Sequence, residues 1–542
     1  MKTVKYIALG LGVAMLASCS DLLDTAPEGS IITEEQKSEV VDNDPTRAEA
    51  GVNAIFAQMT HYDILDRASA DLDRHNDIGY PGVMLRMDVN GNDVVGSTNG
   101  YNWFGNELDY SDRVYTSLEV QIIWNSLYAQ IYASNNVAAA IDPETEDSLS
   151  QYYLAQALGA RAFSYWVLAQ LFQFNYVGHE DAPCVPLITD ENAGAVGVEG
   201  CPRATVAEVY ELIMSDLDTA VALLESTSQR PADKRYVSKA VAYGLRARVN
   251  LTMQKWAEAA ADAQAAIEAF GGRPYTMDEC ADPKFMTAFW NEADAPIMWA
   301  VVVDATDRVV TTGICNWPSH FHSLCYGYNS YSGGFQISKS LYDMIPATDA
   351  RKCWWTDGEG YSSRLAANDE AAEYFESAGY APYTNVKFGP DQGTIGQQNN
   401  ANDVPLMRVE EMYLIKAEGL AMSGSTSEAA QTLESFVSTW RDPQYKCKAT
   451  TAEALQEEIF TQRRIELWGE GMTWFDILRL NKDVDRRGAG YADPSVVFNI
   501  PAGSDVLLYR IPQSEIEANP MLTDTDNNKA DDPTRYVVAD EE

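Results

Sequence analysis

The sequence predicts a mostly α-helical fold in two parts: a scaffold of about four tetratricopeptide-like helical hairpins, and a loop-rich half with few short strands. Three observations predict it. Apolar and small residues recur at helical spacing in paired segments of the chain. Other segments are rich in Gly, Asn, Ser, Tyr and Trp and have no sustained helical period. Hydrophobic residues make up 46% of the 542 residues, which is enough for a folded core.

The clearest helical pair runs from Ser238 to Phe270. Its first half places Val241, Leu245 and Val249 at intervals of four residues, and its second half carries alanines at helical spacing. Small side chains let two antiparallel helices approach closely, so this unit is typical of a tetratricopeptide hairpin. Further helical segments are predicted at 120–141, 150–174, 205–224, 409–437 and 452–480.

These segments divide the chain into two regions. A single hairpin cannot bury its apolar face, so we expect the hairpins to stack into one scaffold, mainly over 120–270 and 405–480. The loop-rich half lies mainly in 71–115 and 271–403. Both belong to a single body over 41–542. Long connections inside a compact protein are usually functional surfaces, and we therefore expect the ligand site in the loop-rich half.

The charge balance excludes one large class of partner. The chain has 39 Lys and Arg against 80 Asp and Glu, a formal net charge of −41. Such a chain repels phosphate backbones unless it has a local basic face, and no window of the sequence supplies one. We therefore expect no nucleic-acid partner.

The N-terminus predicts lipid anchoring. Two lysines precede an apolar run over 6–17, which is shorter than the roughly 20 residues of a membrane-spanning helix. The run ends in Leu-Ala-Ser-Cys at 16–19, the small-residue pattern that a bacterial lipoprotein signal peptidase requires. We therefore predict a signal peptide over 1–18, an acylated Cys19, and a polar tether over 19–40.

The sequence contains no recognisable catalytic constellation. It has no nucleophile elbow, no H-E-x-x-H metalloprotease motif and no P-loop. His320 and His322 would share a face on a strand and could hold a metal, but no third ligand stands near them. We expect a protein that is not an enzyme and that uses no cofactor and no metal.

Two clusters of aromatic and short polar residues stand out in the loop-rich half. One surrounds Trp103, and the other follows Cys315. Aromatic rings can stack on the C–H faces of sugars, while short polar side chains hydrogen-bond with hydroxyl groups. The same rings could instead form small cores under the long loops. The candidate ligand-binding residues are Asn92, Asp93, Tyr101, Trp103, Trp317, Tyr326, Tyr328 and Tyr331.

Four segments together resemble the SusD/RagB family, the surface nutrient-binding lipoproteins of Bacteroides-type bacteria. They are the lipoprotein start with Cys19-Ser20-Asp21-Leu22-Leu23-Asp24; Ala160-Arg161-Ala162-Phe163 through Val185-Pro186-Leu187 to Pro202-Arg203-Ala204-Thr205; Leu406-Met407-Arg408-Val409-Glu410-Glu411 through Ala417-Glu418; and Arg463-Arg464-Ile465-Glu466-Leu467-Trp468 through Trp474-Phe475-Asp476 to Ile511-Pro512-Gln513. They cover most of the chain in the family's order.

The resemblance implies a tetratricopeptide-like scaffold that carries a loop-rich, ligand-binding half. It also implies docking over a SusC-like TonB-dependent transporter in the outer membrane. On this basis the chain is interpreted as a non-catalytic surface protein that captures an oligosaccharide and delivers it to the transporter. Two alternatives stay open: a peptide-binding RagB-like member of the same family, and a surface glycoside hydrolase.

Charged residues within the resembling segments have a structural interpretation. We expect them to form an ion-pair network that ties the last hairpins together, and not a phosphate site. The residues are Arg408, Glu411, Glu418, Arg463, Arg464 and Glu466.

Overall fold

The computed structural model describes residues 34–65, 74–287, 289, 291–529 and 531–540. The predicted signal peptide and Cys19 lie outside the described residues, as does most of the predicted tether. The part of the tether that is described differs from the prediction, because a helix begins at Glu34 and continues to Asn43. Within the described ranges, no helix has both the length and the apolar character needed to cross a bilayer.

The fold is mostly α-helical with few short strands, as the sequence predicts. The α-helices described are α1 (Glu34–Asn43), α2 (Glu49–Ala57), α3 (Tyr80–Asn90), α4 (Gly105–Leu108), α5 (Leu118–Ala138), α6 (Ser148–Phe172), α7 (Ala193–Glu199), α8 (Val206–Ser226), α9 (Lys239–Thr252), α10 (Trp256–Phe270), α11 (Met277–Cys280), α12 (Arg308–Thr311), α13 (Trp317–Phe321), α14 (Tyr328–Ser332), α15 (Lys339–Asp343), α16 (Ser363–Ala366), α17 (Asp369–Ala378), α18 (Val409–Met422), α19 (Thr426–Trp440), α20 (Ala452–Glu466), α21 (Thr473–Arg479) and α22 (Gln513–Ala518).

The strands form antiparallel pairs and no larger sheet among the described residues. Their bounds are β1 (Val94–Val95), β2 (Pro183–Pro186), β3 (Arg203–Thr205), β4 (Ile297–Val301), β5 (Gln336–Ile337), β6 (Val404–Arg408), β7 (Val484–Asp485) and β8 (Asn499–Ile500). The pairs are β1 with β5, β2 with β3, β4 with β6, and β7 with β8. The β1–β5 and β4–β6 pairs matter most here, because each joins segments that are far apart in the chain.

Side-chain caps fix where the long scaffold helices begin. An oxygen on the capping side chain accepts a hydrogen bond from a main-chain N–H in the first turn, which would otherwise lack a partner. In α8, Thr205 and Glu208 form a reciprocal capping box. The other capped starts are Ser117 for α5, Asp147 for α6, Ser238 for α9 and Thr451 for α20.

The long helices pack side by side in a continuous series. Helix α5 packs on α6, α6 on α8, α9 on α10, and α10 on α18, which in turn contacts α19 and α20. The α10–α18 contact is close, because a Cβ atom at Gly419 would lie 2.5 Å from the carbonyl oxygen of Trp256. This contact unites the two helical regions of the sequence into one scaffold. The number of hairpins, about four, stays a prediction.

The longest helix described in the loop-rich half, α3, was not predicted by the sequence pattern. Helix α3 lies within the region 71–115, and every one of its eleven residues is buried. A helix that is buried on all sides has no polar face, so it shows no amphipathic period. Between 271 and 403 the helices are short, and the longest is α17, with ten residues.

Buried ion pairs connect the two halves of the molecule. At the centre is Glu466, whose carboxylate contacts Arg441 at 2.8 Å, Arg408 at 3.0 Å and Arg351 at 3.2 Å. All four side chains are fully buried. Although burial by itself raises the pKa of Glu466, the surrounding guanidinium groups lower it well below its usual value. Because Arg351 lies in the loop-rich half, this cluster fixes that half to the end of α20.

The predicted ion-pair network therefore exists, but it reaches further than the last hairpins. All six predicted residues make ion pairs, five of them buried and that of Arg464 partly buried, and some partners, such as Arg248 and Asp93, lie outside the segments that predicted the network. The further pairs are Arg408 with Glu470 at 2.8 Å, Glu411 with Arg248 at 2.6 Å, Glu418 with Arg479 at 2.6 Å, Arg463 with Asp476 at 2.7 Å, and Arg464 with Asp93 at 2.5 Å.

Candidate ligand-binding site

Strands β1 and β5 bring the two predicted aromatic clusters together. Val94 pairs with Ile337 and Val95 pairs with Gln336 in antiparallel register. The loop after β1 and the helix–loop segment before β5 therefore leave the strand pair at the same end. Residues 96–104 and 317–334 are adjacent in space although more than two hundred residues separate them in the chain.

Asparagine side chains shape the first loop. The Oδ1 atom of Asn99 accepts a hydrogen bond from the main-chain N–H of Tyr101 at 3.0 Å, which is the pattern of an Asx-turn. Asn102 makes the same kind of bond with Phe104, also at 3.0 Å. Because Phe104 is fully buried, it anchors the loop while Tyr101 projects into solvent.

Glycines shape the second segment. Helix α14 follows Gly327, where a Cβ atom would lie 2.3 Å from the Cα atom of Ser319, so only glycine fits there. The helix ends at Gly333 and Gly334, both with positive φ. Within this single helical turn, Tyr328 points inward and is 9% exposed, whereas Tyr331 points outward and is 49% exposed.

Three tyrosines from these loops form an aromatic surface, which we name the tyrosine platform: the exposed Tyr101 and Tyr331 and the half-buried Tyr326. The ring centroids of Tyr101 and Tyr331 are 5.5 Å apart, with planes inclined at 37°. Those of Tyr326 and Tyr331 are 6.1 Å apart and nearly perpendicular. The Tyr331 hydroxyl donates to the Tyr326 hydroxyl at 3.4 Å, and this bond raises the pKa of Tyr331. The Tyr331 phenol is therefore uncharged at neutral pH.

A second ring cluster lies beneath the platform. Trp103 is half-buried, and its ring centroid lies 4.7 Å from that of His75 and 6.0 Å from that of Tyr328. Tyr328 in turn stacks on His320, with the planes inclined at 13°. Burial lowers the pKa of His320 to about 3, so its imidazole is neutral and its Nε2 donates to the carbonyl of His75 at 2.7 Å. This cluster belongs to the same two chain segments as the platform, because Trp103 follows Tyr101 and Tyr328 lies on the same helix as Tyr331.

The other predicted site residues lie elsewhere. Trp317 is 2% exposed and packs against Phe388, with ring centroids 4.9 Å apart. Asp93 is also 2% exposed, and its carboxylate is paired with Arg464. Asn92 donates to the main-chain carbonyl of Asp485 at 3.3 Å. Trp317 and Asp93 serve the interior and cannot contact a ligand in this conformation. We therefore leave these three residues out of the candidate site.

The structure adds a third segment to the site. Around Tyr326, the main-chain N–H donates to the carbonyl of Gln397 at 2.9 Å, and the side chain of Asn400 donates to the carbonyl of Tyr326 at 3.0 Å. The exposed amides Gln398 and Asn399 therefore stand beside the platform. Their signal in the sequence is the run Gln397-Gln398-Asn399-Asn400, but an amide run alone does not say which loop it joins.

Tyr374 of α17 belongs to the same neighbourhood. Burial raises its pKa to about 12, with smaller contributions from Cys325, Tyr331 and Tyr326. Its ring lies against Gly396, where a Cβ atom would be 2.9 Å from the ring edge. Helix α17 therefore borders the platform, although no aromatic cluster in the sequence marks it.

Chemically, this surface suits an uncharged, hydroxyl-rich ligand. The platform offers ring faces and phenol hydroxyls, and the neighbouring loops offer amides that both donate and accept hydrogen bonds. Among the residues that the structure describes, no group of three or more His, Cys, Asp or Glu side chains could hold a metal ion.

Two clefts of about 470 and 640 Å³ lie elsewhere on the molecule. The first is lined by residues such as Arg203, and the second by residues such as Lys234. The Arg203 guanidinium is engaged by main-chain carbonyls, including that of Cys184 at 2.7 Å.

Comparisons of the chain with known families give two matches that together span most of it. Residues 271–528 match the family described as "SusD family". Residues 79–251 match the family described as "Starch-binding associating with outer membrane".

Two curated relatives match over most of their length. "SusD-like protein P2" of Formosa agariphila is 25% identical over 551 residues, which cover 94% of this chain and 96% of the relative. A "SusD-like protein" of Bacteroides ovatus is 21% identical, covering 88% of this chain and 82% of the relative.

Solved structures share the fold. A "SusD-like carbohydrate binding protein" from Bacteroides vulgatus superimposes with a TM-score of 0.71 at 23% identity, covering 90% of this chain and 98% of that one. "Surface glycan-binding protein A" from Bacteroides fluxus superimposes with a TM-score of 0.62 at 17% identity, covering 90% and 99%. At these identities the likeness establishes the fold.

Proposed function

Because the chain belongs to the SusD family, we propose that it is a non-catalytic surface protein that binds an oligosaccharide or polysaccharide and delivers it to a SusC-like TonB-dependent transporter. In this proposal the acylated Cys19 anchors the protein in the outer membrane, and the body faces the cell surface. The printed description of the family that matches residues 79–251 supports the membrane location.

The single observation that carries the binding proposal is the tyrosine platform. Tyr101 and Tyr331 expose 54% and 49% of their surface, although they come from segments far apart in the chain. Exposed aromatic patches assembled in this way mark interaction sites, because water contact of so much ring surface is unfavourable. With neutral amides alongside, the patch matches a sugar, which has C–H faces and hydroxyl groups but no required charge.

The names of the structural neighbours agree with this choice of ligand. Two of them are described as a carbohydrate binding protein and a surface glycan-binding protein. The peptide-binding alternative predicts binding of a peptide pool in place of a polysaccharide, and the test below distinguishes the two. The glycoside hydrolase alternative would need paired carboxylates facing the ligand.

Glycan binding and its dependence on the platform form the test. The full-length protein, purified in an amine-oxide detergent that contains no sugar, is run on native gels that contain amylopectin, galactomannan, xyloglucan or other polysaccharides. Retardation by at least one of them is expected. The Tyr101→Ala/Tyr326→Ala/Tyr331→Ala variant should bind about tenfold or more weakly, because central aromatic anchors carry most of the energy of an interface.

Two exposed tyrosines elsewhere provide the matched control. Tyr132 and Tyr361 are 65% and 57% exposed, so the Tyr132→Ala/Tyr361→Ala variant also removes exposed rings but should bind as the unmodified protein does. Equal loss in both variants would contradict the assignment of the site. Platform-dependent binding of a peptide pool would favour the peptide alternative, and release of new reducing ends would favour the hydrolase.

A further inference from the structure

The chain segments that build the platform carry no formal charge. Residues 94–106 and 309–338 contain no Asp, Glu, Lys or Arg, although such residues make up 22% of the whole chain. The amides at 397–400 add no charge either. A ligand on the platform therefore meets only neutral groups at first contact, and any net field must come from the residues that surround it.

Those surrounding residues are mainly carboxylates. Helix α17 exposes Asp369, Glu370, Glu373 and Glu376 and contains no Lys or Arg. It is held beside the platform by Tyr374, which contacts Gly396, and by Phe375, which packs on Tyr380. Tyr380 itself lies against Gly334, at the end of the platform's second segment.

Another carboxylate borders the opposite loop. Asp493 accepts a hydrogen bond from the Thr98 hydroxyl at 2.8 Å, three residues before Tyr101. Hydrogen bonds from Ser495 and Thr98 lower the pKa of Asp493, so it is ionised at neutral pH. The four carboxylates of α17 and that of Asp493 are together named the acidic rim: Asp369, Glu370, Glu373, Glu376 and Asp493.

The cations that adjoin these segments in the sequence are largely withdrawn from the surface. Arg364 and Lys387, on either side of α17, are buried, and they donate to main-chain carbonyls such as those of Val386 and Trp468. Lys339 is exposed but is paired with Asp343 at 2.8 Å. Lys284 is exposed, and it meets the 391–399 loop through its main-chain carbonyl, next to Gly393. Arg308, directly before the second segment, is exposed, and its guanidinium lies over the Tyr62 ring, 5.3 Å from the centroid. The five carboxylates of the acidic rim therefore outnumber the exposed cations that adjoin these segments, which favours a negative field over the platform.

We propose that the platform selects uncharged glycans and rejects glycans that carry carboxylates or sulfate esters. This inference rests on the proposed glycan-binding function and narrows its ligand class. The rings and amides provide attraction that does not depend on charge, and the acidic rim provides repulsion specific to anionic chains. Discrimination of this kind needs an element that opposes the wrong ligand as well as one that favours the right one.

The test compares each polysaccharide with its own oxidised form. Amylopectin, galactomannan and xyloglucan are used before and after selective oxidation of their C6 hydroxyls to carboxylates, which adds charge while keeping the backbone. Polygalacturonate, alginate and a sulfated galactan are naturally anionic probes. Affinities for the full-length protein are measured in about 10 mM and about 1 M NaCl, where the screening length falls from about 30 Å to about 3 Å.

In low salt, the oxidised form of a bound polysaccharide should bind about fivefold more weakly than the native form. The reason is repulsion between the carboxylates of the oxidised glycan and those of the acidic rim across about 10 Å of water. High salt should remove most of this difference in affinity, because salt screens charge repulsion. A difference caused by the altered shape at C6 would remain in high salt. The Glu373→Gln/Glu376→Gln variant should bind the oxidised form about twofold more tightly in low salt and the native form unchanged. The control variant Glu258→Gln/Glu428→Gln, which removes two exposed carboxylates from α10 and α19, should change neither.

The outcomes separate this inference from the function beneath it. Suppose that an anionic polysaccharide binds more tightly than every neutral one, and that this binding is lost in the triple tyrosine variant. This result would overturn the selection of uncharged glycans but would still support the proposed glycan-binding function. The inference would also be overturned if the difference in affinity between native and oxidised polysaccharide stayed the same in high salt and in the Glu373→Gln/Glu376→Gln variant. Absence of tyrosine-dependent binding to any glycan would overturn the proposed function, and the inference with it.

Discussion

Trp317 and Tyr331 belong to the same loop-rich segment, yet they have opposite positions. The Trp317 ring is 2% exposed and packs on Phe321, His322 and Phe388, whereas Tyr331 is 49% exposed on the platform. The difference arises from local backbone geometry. Helix α13 turns Trp317 toward the core, and helix α14 turns Tyr328 inward and Tyr331 outward. For these two residues, the direction in which the short helix turns the ring decides whether it belongs to the interior or to the proposed ligand surface.

The same separation holds for charge. Carboxylates of the interior, such as Glu466, are paired with several guanidinium groups and hold the two halves together. Carboxylates of the acidic rim stand in water around an uncharged surface. We therefore expect the interior to supply stability and the proposed ligand surface to supply recognition. Variants in one should change the corresponding property and leave the other unchanged.

The largest expected effect is on the interior. Glu466→Gln keeps the size of the side chain but leaves Arg441, Arg408 and Arg351 facing a neutral group, so the free energy of unfolding should fall by about 3–5 kcal/mol. Urea denaturation of the full-length protein measures it. The folded fraction should still bind glycan as the unmodified protein does.

An exposed pair gives the matched control for this change. Glu434 contacts Lys446 at 2.8 Å, with side chains that are 33% and 70% exposed. Glu434→Gln should lower the free energy of unfolding far less than Glu466→Gln does, because solvent screens an exposed pair. Equal effects of the two substitutions would mean that Glu466 does not fix the halves to each other.

A smaller effect is expected where the interior meets the platform. A Cβ atom at Gly334 would lie 2.8 Å from the Tyr380 ring, and the φ of Gly334 is +83°. Gly334→Ala should therefore lower the free energy of unfolding by about 1–3 kcal/mol and also weaken glycan binding, because Tyr331 would shift. Gly333, at φ +95°, has open space around it, so Gly333→Ala carries only the backbone strain and should cost less in both assays. The reverse order would contradict the contact with Tyr380.

The smallest effect is a pH dependence at the junction of the two halves. Asp403 accepts hydrogen bonds from the main-chain N–H groups of Glu292 at 2.7 Å and Val303 at 2.8 Å. Burial raises its pKa from 3.8 to about 6. The folded protein therefore holds a proton that the unfolded chain releases. The stability from this group is complete below the unfolded pKa and is lost as the pH rises through the folded pKa.

Substitution isolates this contribution. Between about pH 5 and about pH 7.5, the unmodified protein should lose about 1 kcal/mol of unfolding free energy that the Asp403→Asn variant does not lose. Paired urea titrations at the two pH values measure the difference. A difference that stays constant with pH, or one that grows in the opposite direction, would contradict a raised pKa at this site.

The scaffold could be predicted from the sequence because its information is local. Helical spacing predicts α9 and α10, and capping residues such as Thr205 and Ser238 begin their helices as the chemistry of helix ends requires. Helix α3 was not predicted, because a helix that is buried on all sides shows no alternation of apolar and polar faces in its sequence. The partners of Glu411 and Arg464 also escaped, since Arg248 and Asp93 lie far away in the chain.

The candidate site could be predicted as a region but not residue by residue. The aromatic clusters indicated both loops, and five of the eight predicted residues lie in the platform or directly beneath it: Tyr101, Trp103, Tyr326, Tyr328 and Tyr331. What joins the loops is a strand pair of two residues on each side, too short to leave a sequence pattern. Short helices of five residues decide which rings face outward. The amino-acid composition of the loop does not show where such a helix begins, so it does not show which rings it exposes.

Two variants separate the interior from the proposed ligand surface most directly. For Tyr331→Ala and Trp317→Ala, glycan affinity is determined by calorimetry and the free energy of unfolding by urea denaturation. Tyr331→Ala should weaken binding about tenfold without a measurable loss of stability. Trp317→Ala should lower the free energy of unfolding by about 3–5 kcal/mol, while the folded protein binds within about twofold of the unmodified affinity. Loss of binding in Trp317→Ala equal to that in Tyr331→Ala would contradict the separation of interior from ligand surface.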